Sequence, residues 1–245
     1  MSNISVITSG TSGIGRAIVK KILAESAEGD RVIVNYGHSD QAAEDLKNEL
    51  PEKQRERLTL VKADLSDYDA MMEFADKVKE MTDHIDWLVL NTGIGTYVPY
   101  DEYTFELWNH IINTNLSIPA FLVRELKPHM AEYGNILFMG SQAGQQPYSS
   151  SLVYSVSKAG VLHMAKCLVK FFDDRRVSVN AIAPGFIETR WQKDRTDESY
   201  ERINRKIAAH RFGTPEEVAS LCFAVLSNDY LNGSVYEVTG GYDYF

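Results

Sequence analysis

Ile4-Ser-Val-Ile-Thr-Ser-Gly-Thr-Ser-Gly-Ile-Gly15 decides the fold. The apolar run closes on a Gly/Ser cluster, which reads as a strand over residues 4–8. From residue 13 to 27 the apolar period changes, and Ile14, Ala17, Ile18, Ile22 and Leu23 fall on one side of a helix. A glycine-rich turn between strand and helix lets backbone approach a pyrophosphate. The helix N-terminus adds unpaired N–H groups and the positive end of its dipole. The spacing is G-x-x-G-x-G, not the commoner G-x-G-x-x-G, so its weight comes from its place after an N-terminal strand.

The same alternation runs outward from this stretch. Strand patterns fall at Arg31–Tyr36, 58–63, 86–91, 135–139, 177–183 and 234–238. Helical patterns fall at 39–50, stopped by Pro51, and at 67–81, 151–172 and Pro215–Leu226. A further helical stretch, 104–132, is expected to break at Pro119 and Pro128. Strands joined by crossover helices require a parallel sheet. The expected fold is α/β, a doubly wound parallel sheet of about seven strands with helices on both faces. Residues 188–210, charged and following Pro184-Gly185, read as a mobile flap with few apolar anchors.

Composition narrows the function. The 245 residues suit one domain over 1–245. Lys plus Arg is 25 and Asp plus Glu is 34, a net charge of −9. An acidic chain without a basic block is a poor nucleic-acid binder. No apolar run approaches the ~20 residues of a membrane span, and the start shows no export signal. Two cysteines make no disulfide framework, so the reducing cytoplasm is expected. The six histidines show no metal spacing.

Tyr154-Ser-Val-Ser-Lys158 lies in the longest helical pattern, with Tyr154 and Lys158 on one face. An ammonium beside a phenol stabilises phenolate and so favours proton transfer. Ser141 stands 13 residues earlier, just after a strand. Strand C-terminal ends line the ligand crevice of an open parallel sheet. A hydroxyl there can hydrogen-bond a carbonyl that Tyr154 protonates.

Over nearly its whole length the chain resembles the short-chain dehydrogenase/reductase family, whose fold is Rossmann-like. The likeness rests on the glycine motif at 8–15, Asp64-Leu65, Asn91-Thr-Gly93, Asn115-Leu116, Ser141, Tyr154 and Lys158, and Asn180. It continues through Pro184-Gly-Phe-Ile-Glu-Thr189, Arg211-Phe-Gly-Thr-Pro-Glu-Glu217 and Val238-Thr-Gly-Gly241. Four positions depart from the family pattern: Ser9, where glycine is usual; Leu90 and Thr92, in the Asn-Asn-Ala-Gly turn; and Gly140, where a serine is common.

The resemblance implies transfer of hydride between a nicotinamide cofactor and a ketone/secondary alcohol pair. Tyr154 would be the general acid or base, Lys158 would assist it and hold the ribose, Ser141 would orient the carbonyl, and Asn115 would hold a relay water. Cofactor contacts would come from Ser9, Gly10, Ser12, Gly13, Ile14, Gly15, Tyr36, Asp64, Leu65, Asn91, Gly93, Tyr154, Lys158, Pro184, Gly185, Ile187 and Thr189. Tyr97, Tyr148, Phe186 and Trp191 fall in segments that surround the substrate. At the end of the second strand Tyr36 takes the place of the carboxylate that excludes a 2′-phosphate, with Gly37, His38 and Ser39 following as donors and Asp40 the next acid. NADP(H) is therefore expected over NAD(H). The apolar tail Tyr242, Tyr244 and Phe245 suggests burial in a homotetramer or homodimer. A 3-oxoacyl carrier-protein reductase is one special case, but Glu132 falls where a basic docking residue is expected, and Arg175 and Arg176 compensate only partly. A silent dinucleotide-binding regulator would lack Tyr154 or Lys158. A sugar epimerase or dehydratase would carry a further C-terminal domain.

Overall fold

The structure, a computed structural model, describes residues 2–147 and 151–242. Seven parallel strands form one sheet: β1 (Ile4–Ile7), β2 (Arg31–Tyr36), β3 (Leu58–Lys62), β4 (Ile85–Leu90), β5 (Met130–Met139), β6 (Ser178–Pro184) and β7 (Val235–Val238). Their order is β3-β2-β1-β4-β5-β6-β7. The chain winds outward from β1 to β3, then returns to β4 on the other side of β1. The switch point lies between β1 and β4, where the ends of the two strands open a crevice.

The helices are α1 (Gly13–Glu25), α2 (Asp40–Glu49), the single turn α3 (Glu52–Arg55), α4 (Tyr68–Met81), α5 (Phe105–Ile112), α6 (Ile118–Leu126), α7 (Leu152–Leu168), α8 (Asp197–Asn204) and α9 (Pro215–Leu226). Both sheet faces are apolar, as strands covered on two sides require. On one face Phe74 of α4, Leu122 of α6 and Val161 of α7 pack with Val6, Leu88 and Phe138. On the other, Ile18 of α1, Leu46 of α2 and Val218 of α9 pack with Ile7, Val34 and Leu137. Burying one such side chain contributes about 1.5–3 kcal/mol.

Three sequence expectations need correction. The break in 104–132 is not at Pro119, which sits in the first turn of α6, where its missing N–H costs nothing. It is a π turn, Asn113–Ser117, in which the Ile118 N–H reaches back to Asn113 O. The strand paired with β4 begins at Met130, five residues before the expected start, with an irregularity in β4 between Ile85 and Trp87. Residues 188–210 are better anchored than their charge suggests: Ile203 and Ile207 are buried with Phe212 against Phe186, Tyr200 and Tyr242.

Leu152–Phe171 is long and apolar enough by length and composition to cross a membrane, contrary to the expectation that no apolar run approaches that length. One face of α7 carries Val153, Val161, Leu162 and Ala165 into the core. Tyr242 packs its ring 5.2 Å from that of Phe186, so this residue of the apolar tail is engaged within the chain. Tyr148, Tyr244 and Phe245 lie outside the described residues.

Candidate active site

The crevice holds two adjoining chambers. The first is bounded by the turn after β1 and the N-terminus of α1, with Ser9, Ser12, Gly13 and Ile14 on its wall and Pro184, Gly185, Ile187 and Thr189 opposite. Ser12 is the N-cap of α1 but makes no side-chain cap bond, so the first-turn N–H groups face the chamber without that partner. Gly13 has φ +51°, which glycine adopts without strain, and a methyl there would meet Thr189 Cγ2 at 3.5 Å. This shape suits a pyrophosphate. Gly10 and Gly15 are not on this wall. Gly10 makes room for Val34 and Val19, and Gly15 for Ser9 O and the Asn91 side chain.

Two departures from the family pattern meet here. Ser9 adopts φ +50°, the left-handed region that favours glycine. Its N–H donates to Asn35 Oδ1, its carbonyl accepts from Asn91 Nδ2, and its hydroxyl shares a 2.8 Å hydrogen bond with Thr92 Oγ1. Asn91 thus braces the loop through its side chain.

The second chamber, about 450 Å³, is the size of a small-molecule site. Ser141 and Tyr154 border both chambers. Ser141, two residues past β5, opens a 3-10 turn, Gln142–Gly144, with its hydroxyl accepting from Ala143 N at 3.1 Å. The Ser155 hydroxyl donates to Ala143 O and ties that turn to α7. A methyl on Gly144 would lie 2.6 Å from Lys158 C and 2.7 Å from Ala159 N, so turn and helix touch backbone to backbone. Gly144→Ala is expected to destabilise the protein by about 1–3 kcal/mol, a Tm drop of about 2–12 °C. It should also lower kcat by moving Ser141 away from α7. An unchanged melting curve would show that the turn yields freely.

Lys158 is buried, one helical turn after Tyr154. Its Nζ donates to Met139 O at 2.7 Å and lies 5.8 Å from the centre of the Tyr154 ring. Burial pulls its ammonium from an ordinary 10.5 down to about 8. Asn115, in the π turn, brackets Ile94: Oδ1 accepts from Ile94 N and Nδ2 donates to Ile94 O, both at 2.8 Å. Nδ2 also donates to Ser157 Oγ. A methyl on Gly93 would meet Lys158 Nζ at 3.0 Å and Asn115 Oδ1 at 3.6 Å, so only glycine leaves this gap. Trp191 roofs the site, its ring 5.1 Å from that of Tyr154.

Other expected contacts are placed apart. Tyr36 ends β2 and Asp64 follows β3, both outside the two chambers, and the Leu65 side chain is buried in the core. A carboxylate does reach Tyr36, contrary to expectation: the Tyr36 hydroxyl donates to Asp40 Oδ1 at 3.1 Å. Lys62, paired across the sheet with Tyr36, holds the same carboxylate at 2.9 and 2.7 Å and keeps it below the usual carboxylate range. His38 faces Asp64 at 3.4 Å, and the Ser39 hydroxyl caps α2 by accepting from Ala42 N. Sequence reading took this segment for a flap but did not single out Gln192, Arg190 and Arg195, which line the chambers.

The sequence pattern of the short chain dehydrogenases matches residues 3–199. The chain belongs to that family. An acetoacetyl-CoA reductase of Shinella zoogloeoides is 32% identical, covering 98% of both chains. A 3-oxoacyl-[acyl-carrier-protein] reductase of Aquifex aeolicus is 31% identical over 97% of this chain and 96% of its own. Among solved structures, BdcA in complex with NADPH superposes with a TM-score of 0.86 at 27% identity, covering 98% of this chain and 93% of that one. The short chain dehydrogenase described here is an NAD(P)-dependent oxidoreductase acting on a ketone/alcohol pair.

Proposed function

We propose that Tyr154 is the proton donor in carbonyl reduction and the acceptor in alcohol oxidation. The observation that carries this reading is the shared wall: Ser141 and Tyr154 border both chambers, and Lys158 sits beneath one of them. A bound nicotinamide would supply or accept the hydride. The Ser141 hydroxyl orients the carbonyl oxygen. The Lys158 ammonium eases loss of the phenolic proton and holds the ribose. Asn115 keeps the gap at Gly93 clear and holds a water that passes protons on to Lys158. Pyrophosphate rests on Ser12, Gly13 and Ile14, and Ile187 and Thr189 hold the carboxamide. Residues 188–210 close over both ligands within a single domain of 245 residues, and the protein works as a homo-oligomer.

The cofactor is NADP(H) in preference to NAD(H). Asp40 stands beside Tyr36, but Lys62 neutralises it, and the Lys62 side chain is half exposed. A 2′-phosphate arriving there meets an ammonium and the N–H groups around Gly37. The likeness to a relative solved with NADPH supports the same choice. Comparing kcat/KM for NADPH and NADH on one ketone is the test, and a tenfold preference for NADH overturns the reading. Tyr36→Asp adds an unpaired carboxylate and is expected to reverse the order, by about 1–3 kcal/mol in relative transition-state binding.

The substrate is a free small molecule and not a carrier-bound thioester. Arg175 donates to Pro128 O and Met130 O, and Arg176 is taken by Tyr133 and Glu132. Arg176 is thus already paired with an acid, which argues against its docking an acidic carrier.

A further inference from the structure

The substrate chamber contains a charge that the chain does not balance. Arg195, half-buried on its wall, donates through Nε to Gln192 Oε1 and through Nη1 to Ser199 Oγ, both at 2.9 Å. Its guanidinium lies 5.6 Å from the centre of the Phe186 ring. Both acceptors are neutral, and among the described residues no carboxylate pairs with it. Four other arginines do pair with acids: Arg16 with Glu49, Arg124 with Glu125, Arg176 with Glu132, and Arg211 with Glu217.

A guanidinium has five N–H donors in a fixed fork. Two are used here, and the aromatic face holds its plane. The remaining donors suit a carboxylate, which accepts two parallel hydrogen bonds. Asp194, next in the chain, is exposed at the rim, where water screens it. The chamber that holds Arg195 and Tyr154 also has aromatic walls: Phe186 packs tilted against Tyr242, and Trp191 against Tyr154.

We infer that the substrate is an oxo acid with a ring-bearing apolar body, its carboxylate received by Arg195 while its carbonyl meets Tyr154. This rests on the assignment of Tyr154 above and adds a substrate class to it. A neutral ketone would fill the same space but leave the remaining guanidinium donors without an anionic acceptor, at a cost.

The test compares 4-acetylbenzoate and 3-(4-acetylphenyl)propanoate with their primary amides. The wild-type enzyme with NADPH is expected to favour at least one acid over its amide by about tenfold or more in kcat/KM, mainly through KM. Arg195→Gln should erase that ratio, and Arg195→Lys should recover part of it, since lysine keeps the charge but not the fork. Calorimetry on the NADP+-loaded enzyme gives an independent reading: the acid's Kd rises about tenfold in Arg195→Gln. Thermal melts of both variants report whether they fold. Equal use of acid and amide, an acid/amide ratio that survives in Arg195→Gln, or no saturable binding of either acid up to roughly 10 mM overturns the inference. If acid and amide are reduced equally and Tyr154→Phe silences both, the site assignment stands and only the anion site falls. If Tyr154→Phe stays active, the site assignment itself fails, whatever Arg195 does.

Discussion

Replacing Tyr154 by phenylalanine lowers kcat by about 10²–10⁴-fold and leaves cofactor affinity nearly unchanged. The substitution removes one oxygen and keeps the ring, so the contact with Trp191 and the stacking over Gly95 persist. The proton for the substrate oxygen then has to come from water. Steady-state kinetics with a saturating ketone, together with a fluorescence titration of the reduced cofactor, measures both quantities. A variant that retains more than half of the wild-type kcat would remove Tyr154 from the mechanism.

Lys158→Met is expected to damage kcat and cofactor affinity together and yet not to lower the stability of the free protein. Burial holds the Lys158 ammonium at about 8 against an ordinary 10.5. Between those pH values the unfolded chain binds a proton that the folded chain has released, so stability rises with pH across that window. Below about pH 8 the folded protein carries the full burden of the buried cation, about 3 kcal/mol. Methionine removes it but leaves Met139 O, now the acceptor for Lys158 Nζ, without its donor, at about 1–3 kcal/mol. The net change for the free protein at pH 7 is therefore between about zero and +2 kcal/mol. Melting curves at pH 7 and pH 10 test the sign: the variant matches or exceeds wild type at pH 7, and wild type gains on it at pH 10. A variant that melts far below wild type at pH 7, or that binds cofactor as tightly, would contradict the account.

The fold was legible because its signals are local. The run Arg31–Tyr36 is β-branched and buried on both faces, and the observed strand has those same bounds. Tyr154 and Lys158 declare themselves by a spacing of four on one helix. What sequence reading missed depends on residues far apart in the chain. Ser9 and Thr92, 83 positions apart, each look like a lone departure, but together they form the hydrogen bond that supports a left-handed serine. Asp40 seemed safely inside a helix, but the sheet register carries Lys62 to Tyr36 and joins all three groups. The π turn at Asn113–Ser117 has no hydrophobic period of its own. Ile203, near the end of α8, and Ile207, just past it, were visible but outnumbered by charged neighbours, so a buried cluster passed as a weakly anchored flap.

The strand order also governs what a half-made chain exposes. β1 is complete by residue 7 and takes β2 as its first neighbour soon after, but its other neighbour, β4, pairs Trp87 with Ser5. At roughly 5–20 residues per second of synthesis, the roughly eighty residues between the end of β1 and Trp87 take roughly 4–16 s. Through that interval the amides and carbonyls on one side of Ser5, Val6 and Ile7 have no strand to bond. These residues end up fully enclosed in the finished molecule. In the nascent chain they are an unprotected sheet edge of the kind that recruits other chains. The interior position that encloses β1 between β2 and β4 in the finished sheet leaves one of its edges open until β4 is made. Crowded overexpression should therefore lose protein mainly to aggregation of incomplete chains and not to unfolding of complete ones.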